Sequence, residues 1–258
     1  MINLGKPSDK SRRPLPVDGG FATGRLLDVG CGHGFNAAMS NKRVPTIGID
    51  RNIRNIMTCV DRYPEVSFVV MDAENIGFRN MSFSNISCYD VLEHVDSPEA
   101  VLHECARLAT LGGTVDLIVP DRRSEALFRR LRPTYMEDIG HQRIFDSTSL
   151  KFVVEKTGLQ VSKISPEGFL NAIYLALVLL FRRASGEANG DTSIFDWRSH
   201  WLHAIIHLIF LHFDPIVSHT PLRFSPLIVL TVPIGRWLDR LGSTHFPKST
   251  RLIAVRRV

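Results

Sequence analysis

Leu26-Leu27-Asp28-Val29-Gly30-Cys31-Gly32-His33-Gly34 limits this chain more than any other stretch: an apolar strand, carrying an acid, runs straight into three alternating glycines. Side chains at those glycine positions would hold a ligand off the backbone. The segment therefore reads as a strand-to-helix turn with a nucleotide-like cofactor lying across it.

Around this turn, from Phe21 to Ser165, short apolar runs alternate with helix-like segments, the pattern of a parallel sheet covered on both faces. The runs predict strands near Arg25–Val29, Pro45–Ile49, Val66–Val70, Ile86–Tyr89, Thr114–Val119 and Leu159–Ile164. Helices are predicted at Ile53–Arg62, Pro98–Ala109 and Ser147–Thr157. Pro98 suits a first turn, Gly112-Gly113 is expected to end the second of these helices, and Gly158 the third. Arg251–Arg256 alternates and reads as one more strand.

After Ser165 the texture changes. Phe169–Phe181 is apolar on nearly every side and is followed by Arg182-Arg183, then by a polar break over Ala184–Thr192 containing Gly186 and Gly190. Trp201–Phe213 is apolar but threaded with His203, His207 and His212, and Pro226–Ile234 forms a third apolar stretch. None reaches the roughly 18 to 20 unbroken apolar residues that span a bilayer.

The 258 residues allow one large domain or a domain with a substantial insertion. Hydrophobic residues are 44% and charged residues 22%, ordinary for a globular protein, while the mean hydropathy of +0.03 reflects the apolar segments. A net charge of +5 and an isoelectric point of about 9.2 permit attraction to phosphates, anionic lipid or acidic substrates without choosing among them. Cys31, Cys59, Cys88 and Cys105 show no CxxC spacing, which fits a reduced, cytoplasmic protein without structural zinc. Met1–Gly20 carries Lys6, Lys10, Arg12 and Arg13 but no apolar core of a secretory signal, and is expected to be a flexible arm.

A dinucleotide fingerprint reads GxGxxG, whereas Gly30, Gly32 and Gly34 give GxGxG with Phe35 where the third glycine would stand. The offset argues against a nicotinamide cofactor. Asp28 suits a cationic amino-acid group rather than a pyrophosphate. Two more acids close later strands, Asp50 in Gly48-Ile49-Asp50 and Asp72 in Met71-Asp72-Ala73. Ligands of open α/β sheets sit beyond the carboxyl ends of the strands, so successive strands would each present an acid to one crevice. Asp50 is suited to ribose hydroxyls and Asp72 to an exocyclic adenine amine. Each acid alone also reads as a helix cap or turn residue; their order makes the set specific.

With these motifs the chain resembles the class I S-adenosylmethionine-dependent methyltransferases, in particular the type 11 branch of small-molecule enzymes. The resemblance covers about Arg25 to Ser165 and rests on LLDVGCGHG, GID, MDAENI, DVLEHV at Asp90–Val95, LATLGGTVDLIVP at Leu108–Pro120 and GHQRIFDSTSLKFVVEKTG at Gly140–Gly158. It implies a Rossmann-like, doubly wound, mostly parallel seven-stranded sheet whose last strand, matching Arg251–Arg256, is antiparallel. Residues 166–248 then become a helical apolar insertion between strands six and seven, and 21–165 with 249–258 the cofactor domain. The resemblance assigns cofactor binding to Asp28, Gly30, Cys31, Gly32, Gly34, Asp50, Arg51, Asp72, Ala73 and Asp90. Relatives usually carry Phe-Asp before the fourth strand, where this chain has Ser84-Asn85; the change leaves the cofactor acids in place.

Methyl transfer from a sulfonium is an in-line displacement, and a hydroxyl acceptor benefits from a base. His141, His94 and Asp121 are the candidates, and the histidines have the better intrinsic pKa for accepting a proton near neutrality. His141 is the first choice and His94 the second, although either could simply order a loop. Glu93 is expected to organise the cofactor pocket rather than to catalyse. Arg122, Arg123, Arg129, Arg130 and Arg132 form a basic cluster suited to a substrate anion, to lipid headgroups or to a solvated helix face. His200, His203 and His207 share a helical spacing, but no Cys or acid completes a ligand set and no metal is assigned. The insertion, with Trp197, Trp201 and Trp237, would serve as a cap, a dimer interface or an in-plane membrane element.

The expected protein is therefore an S-adenosylmethionine-dependent methyltransferase with a small-molecule acceptor, hydrophobic or lipid-linked, in the cytoplasm or at an anionic membrane surface. Nucleic acid is disfavoured because basic and aromatic residues do not interleave. A non-catalytic, membrane-docked scaffold of the same fold is the alternative, and a nicotinamide-dependent oxidoreductase a weaker one.

Overall fold

The structure is a computed structural model, which describes residues 24–184, 237 and 239–257. The chain divides into two compact units. The larger comprises 24–120, 142–165 and 250–257 of the described residues; the smaller comprises 121–141, 166–184 and the described residues from 237 to 249.

Seven strands form one sheet: β1 (Leu26–Val29), β2 (Thr46–Asp50), β3 (Ser67–Val70), β4 (Phe83–Tyr89), β5 (Ala109–Pro120), β6 (Leu159–Glu167) and β7 (Ser249–Arg256). Their order is β3-β2-β1-β4-β5-β7-β6, with β7 and β6 antiparallel, as the resemblance implies. The first five are parallel in the registers Leu26↔Thr46, Leu26↔Asn85, Ile47↔Ser67 and Ile86↔Val115. Parallel strands need crossovers, supplied here by α1 (Phe35–Asn41), α2 (Ile53–Arg62) and α3 (Pro98–Leu108), while α6 (Ser147–Lys156) leads into β6. Both sheet faces are covered, so the central strands read as continuous apolar runs. Leu27, Val29, Ile49, Ile86, Cys88, Val115 and Leu117 are sealed against Val101, Leu102 and Cys105 of α3 and Leu150 and Val154 of α6. Each large aliphatic side chain so buried contributes roughly 1.5–3 kcal/mol relative to exposure.

Helix starts follow local chemistry. Asn52 Oδ1 accepts from Arg54 N at 2.9 Å, and Ser97 Oγ accepts from Ala100 N at 3.2 Å ahead of Pro98. Asp146 and Ser149 cap each other across the first turn of α6, which Gly158, at φ +84°, follows in the left-handed region.

One expected stop is overturned. Helix α3 ends at Leu108, where Ala109 turns extended at φ −63° and ψ 137°, and β5 begins at once by pairing with Phe83. Gly112 and Gly113 lie inside β5, where the register jumps from Phe83↔Ala109 to Asn85↔Thr114. The bulge is what needs them: Gly112 sits at φ +73°, and a Cβ on Gly113 would lie 2.8 Å from the Thr110 carbonyl oxygen. The unusual Ser84-Asn85 pair is accommodated by hydrogen bonds, with Asn85 Oδ1 accepting from Thr114 Oγ1 at 2.9 Å and Asn85 Nδ2 donating to Ser84 Oγ at 2.9 Å.

The smaller unit is helical: α4 (Arg122–Leu131), α5 (Tyr135–Ile139), α7 (Phe169–Ala184) and a short helical piece over 239–243. Phe128 and Tyr135 pack with Ala172, Leu175 and Leu179, residues of α7 spaced three and four apart. The start of α7 is held by Asp239 Oδ1 accepting from Leu170 N at 3.0 Å and Ser243 Oγ accepting from Phe169 N at 3.1 Å. Among the described residues no helix is long and apolar enough to cross a membrane. The break at 185–192, the stretches at Trp201–Phe213 and Pro226–Ile234, the histidines His200, His203 and His207, and Trp197 and Trp201 lie outside the described residues, as does the arm at 1–20.

Candidate functional site

In the larger unit, four adjacent parallel strands end on one edge of the sheet. Asp28 lies within β1, Asp50 closes β2, Asp72 follows β3 and Asp90 follows β4. The registers Asp28↔Gly48 and Asp50↔Val70 step each acid two residues beyond the last, so the edge rises from Asp28 towards Asp72.

The glycine turn crosses this edge. Gly30, Gly32 and Gly34 have φ of +67°, +53° and +77°, a run that residues bearing a Cβ rarely adopt. The three have different neighbours. A Cβ on Gly30 would lie 2.3 Å from Val91 Cγ2, and one on Gly34 2.8 Å from Cys59 Sγ, so those two glycines admit packed neighbours. A Cβ on Gly32 meets no protein atom within 4 Å. Gly32 is thus the point where the backbone faces open space that a ligand can fill.

Asp50 ties the turn to β2: its Oδ2 accepts from Gly32 N at 2.9 Å and its Oδ1 from Asn52 N at 2.8 Å. Beneath the turn Cys59 Sγ donates to the Gly32 carbonyl at 3.2 Å. The hydrogen bond with Cys59, burial and the negative charge of Asp28 push the Cys31 thiol well above the ordinary thiol range, so it stays protonated. Asp28 is 2% exposed and accepts from Ser87 Oγ at 2.7 Å, which places its charge below the turn rather than on the surface.

Asp72 and Arg51 are exposed, and Asp72 Oδ1 accepts from Glu74 N at 3.0 Å; Ala73 is half-buried beside it. Asp90 stands at φ +49°, unusual for a non-glycine residue, with its amide donating to Ile118 O at 2.8 Å. The loop it opens carries Glu93 and His94 and is clamped by residues that sequence reading did not single out. Arg143 donates to the carbonyls of Leu92, Val95 and Asp96, and Gln142 donates through N to Glu93 O and through Nε2 to His94 O. Glu74 Oε1 accepts from Asp96 N at 2.9 Å and Ser97 N at 3.0 Å, joining the loops after β3 and β4. Motif GHQR held the signal for the first two.

In the smaller unit, His141 Nδ1 lies 3.1 Å from Glu125 Oε2, with the two side chains 8% and 2% exposed. Asp121 is the N-cap of α4, its Oδ1 accepting from Arg123 N at 2.9 Å. In the arginine cluster, Arg123 donates to Asp121 and to the carbonyls of Thr244 and His245, and Arg132 pairs with Asp138; Arg122, Arg123, Arg129 and Arg130 are all exposed.

Residues 8–164, more than half of the chain, match the family described as a methyltransferase domain. A ubiquinone biosynthesis O-methyltransferase of Paracidovorax citrulli is 34% identical over 113 residues, 40% of this chain and 46% of that protein. One of Alkalilimnicola ehrlichii is 30% identical over 136 residues, 48% of this chain and 55% of that protein. The chain spans about half the length of the curated relatives it matches. A geranyl diphosphate methyltransferase solved in complex with S-adenosylmethionine shares the fold, with a TM-score of 0.53 and 13% identity over 90% of this chain and 77% of that one.

Proposed function

Because this chain belongs to the methyltransferase-domain family of S-adenosylmethionine-dependent enzymes, we propose that it transfers a methyl group to a hydroxyl oxygen of a small, hydrophobic acceptor. The observation that carries the reading is Gly32: a left-handed residue whose missing Cβ leaves open space, hydrogen-bonded to an acid at the end of the next strand. Those residues fit the cofactor. The open turn admits an extended chain against backbone, Asp50 supplies carboxylate oxygens for ribose hydroxyls, and exposed Asp72 with Ala73 suits an adenine edge. The buried charge of Asp28 favours a cationic amino group above it. Gly30, Gly34, Cys31, Arg51 and Asp90 shape the same pocket.

Bound there, the cofactor supplies a methyl group on a positively charged sulfur, open to in-line displacement. The chain's part is to align the acceptor, exclude water and accept the hydroxyl proton. His141 takes that proton in this reading, with His94 the second candidate. Oxygen as the methylated atom is supported by the names of the curated relatives, both O-methyltransferases. A hydrophobic acceptor is supported by the smaller unit, which exposes Leu177, Leu180, Trp237 and Leu241 while Arg122, Arg129 and Arg130 face solvent. Such a surface suits docking to an anionic membrane in which the acceptor dissolves.

Incubation with methyl-deuterated S-adenosylmethionine and a membrane lipid extract, followed by mass spectrometry, tests the function. A product three deuterons heavier, released as the parent alcohol or phenol by ether cleavage, supports it. Cofactor binding without any labelled product would instead support a scaffold.

A further inference from the structure

We propose that helix α2 is a self-association surface, whose outer face pairs with the same face of a second copy of this chain, antiparallel and about a twofold axis near Met57 and Thr58. The surface belongs to the larger unit alone and does not depend on which acceptor is methylated.

The order of residues divides α2 into strips. Ile56 and Cys59 are buried, and the Asn52 cap fixes the first turn. Beside them Ile53, Met57 and Val60, spaced four and three apart, are 60%, 62% and 47% exposed. Arg54, Thr58 and Asp61 repeat that spacing one residue further on, and all three are exposed. A single exposed apolar residue is ordinary on a protein surface. Three in line on one helix form the d-a-d seam that pairs with another helix.

The charges beside the seam run against the helix's own dipole. Arg54 stands in the first turn, at the positive end, and Asp61 in the last turn, at the negative end, and each end favours the opposite sign. Among the described residues neither side chain has a hydrogen bond or ion pair, whereas Arg62 lies over the Tyr63 ring at 5.4 Å. An antiparallel partner removes the conflict, because it brings its negative end to Arg54 and its positive end to Asp61. It also supplies the matching charges. In the heptad set by the seam both residues take position e, and antiparallel helices set e against e, so Arg54 meets the partner's Asp61 while Asp61 meets the partner's Arg54. A parallel pair would set position e against position g, held here by Ile56 and Tyr63, and would gain no ion pair. The seam is therefore complementary to itself in one orientation. Ten residues of helix are about 15 Å long, so the contact is of the small, transient class, and dimer should build up with protein concentration.

Sedimentation velocity of the whole chain at low salt, up to its solubility limit, tests the pairing. The wild type should pass from monomer to dimer with rising concentration, and Met57→Glu, which puts a charge into the seam, should stay monomeric. Arg54→Asp and Asp61→Arg should each weaken dimerisation about tenfold, because every dimer then holds two repulsions where it had two attractions. Mixed together, the two single variants should associate with each other better than either does with itself, and Arg54→Asp/Asp61→Arg should restore the wild-type dimer. Both swaps agree with the helix dipole, so circular dichroism and cooperative unfolding should show folded proteins. A wild type that is monomeric at every concentration overturns the proposal. So does a dimer unmoved by these substitutions, which would put the contact on another face, and so does a mixture that associates no better than its components.

Discussion

Asp50 accepts the amide hydrogen of Gly32 at 2.9 Å, so the acid ending β2 and the glycine turn after β1 form one hydrogen-bonded unit. The contact holds the turn in its left-handed form before any ligand arrives, which lowers the ordering cost of binding. Asp50→Ala removes this brace and the proposed ribose acceptor together. Affinity for S-adenosylhomocysteine should fall by about 10- to 100-fold, the effect of losing hydrogen bonds to a charged group. Asp50→Asn keeps one acceptor and should lose less, as read by titration calorimetry.

Arg251 Nε donates to Asp116 Oδ1 at 2.9 Å, and Tyr89 Oη donates to Asp116 Oδ2 at 2.8 Å, binding β7 to β5 and β4 with all three side chains buried. Asp116→Ala strands a buried guanidinium and should cost about 3–5 kcal/mol in denaturant unfolding. The Asp116→Leu/Arg251→Met pair should be less destabilised than Asp116→Ala, because no charge is left alone.

Burial, followed by the charge of Asp116, pushes the Tyr89 hydroxyl well above its ordinary value. The raised pKa means that the folded state keeps this proton after the unfolded state has lost it. Stability from Tyr89 is therefore intact below about pH 10 and declines as pH rises beyond it. Tyr89→Phe should flatten the alkaline arm of the stability–pH curve; an unchanged slope would contradict this assignment.

Glu104 is held below the usual carboxylate range, first by its hydrogen bond to Arg107. The pair pins the loop after β3, with Glu104 accepting from Ile76 N at 2.7 Å and Arg107 donating to the Ile76 and Phe78 carbonyls. A lowered pKa contributes stability above the unfolded carboxylate value, lost as pH falls through the folded one. Glu104→Gln should weaken the fold at neutral pH and make less difference in acid, measured by thermal unfolding across pH.

Leu177, Leu180, Trp237 and Leu241 are exposed apolar residues of the smaller unit, and Arg122, Arg129 and Arg130 are exposed cations of the same unit. The protein should float with phosphatidylglycerol vesicles at low salt and release at high salt, each arginine near the surface contributing about 1 kcal/mol. Replacing the three arginines by serine should abolish flotation. Failure of the wild type to float at low salt would remove membrane docking from the account.

The row of strand-end acids and the glycine turn were legible because strand, acid and turn are consecutive in sequence: Asp28 with Gly30 to Gly34, Asp50 after Gly48-Ile49, and Asp72 after Met71 each carry their signal within a few residues. Gly112-Gly113 was misread for the same reason. A glycine pair after a helix looks like a stop, whereas the bulge that requires it depends on Phe83 and Asn85 of another strand. Pairs distant in sequence left no local trace. Asp116 and Arg251 are 135 residues apart, and Glu125 sat unnoticed within a run of arginines whose charge drew attention to solvent. Arg143 was hidden because three of its partners are backbone carbonyls distant in sequence, which no side-chain pattern reveals.

The central claim is that the turn around Gly32 binds S-adenosylmethionine. Titration calorimetry with S-adenosylhomocysteine, on the wild type and on Gly32→Arg, tests it most directly, since a side chain there projects into open space rather than into the core. Saturable binding to the wild type, lost in a Gly32→Arg protein that still unfolds cooperatively, is the predicted result. Undiminished binding to Gly32→Arg, or none to the wild type, would contradict it.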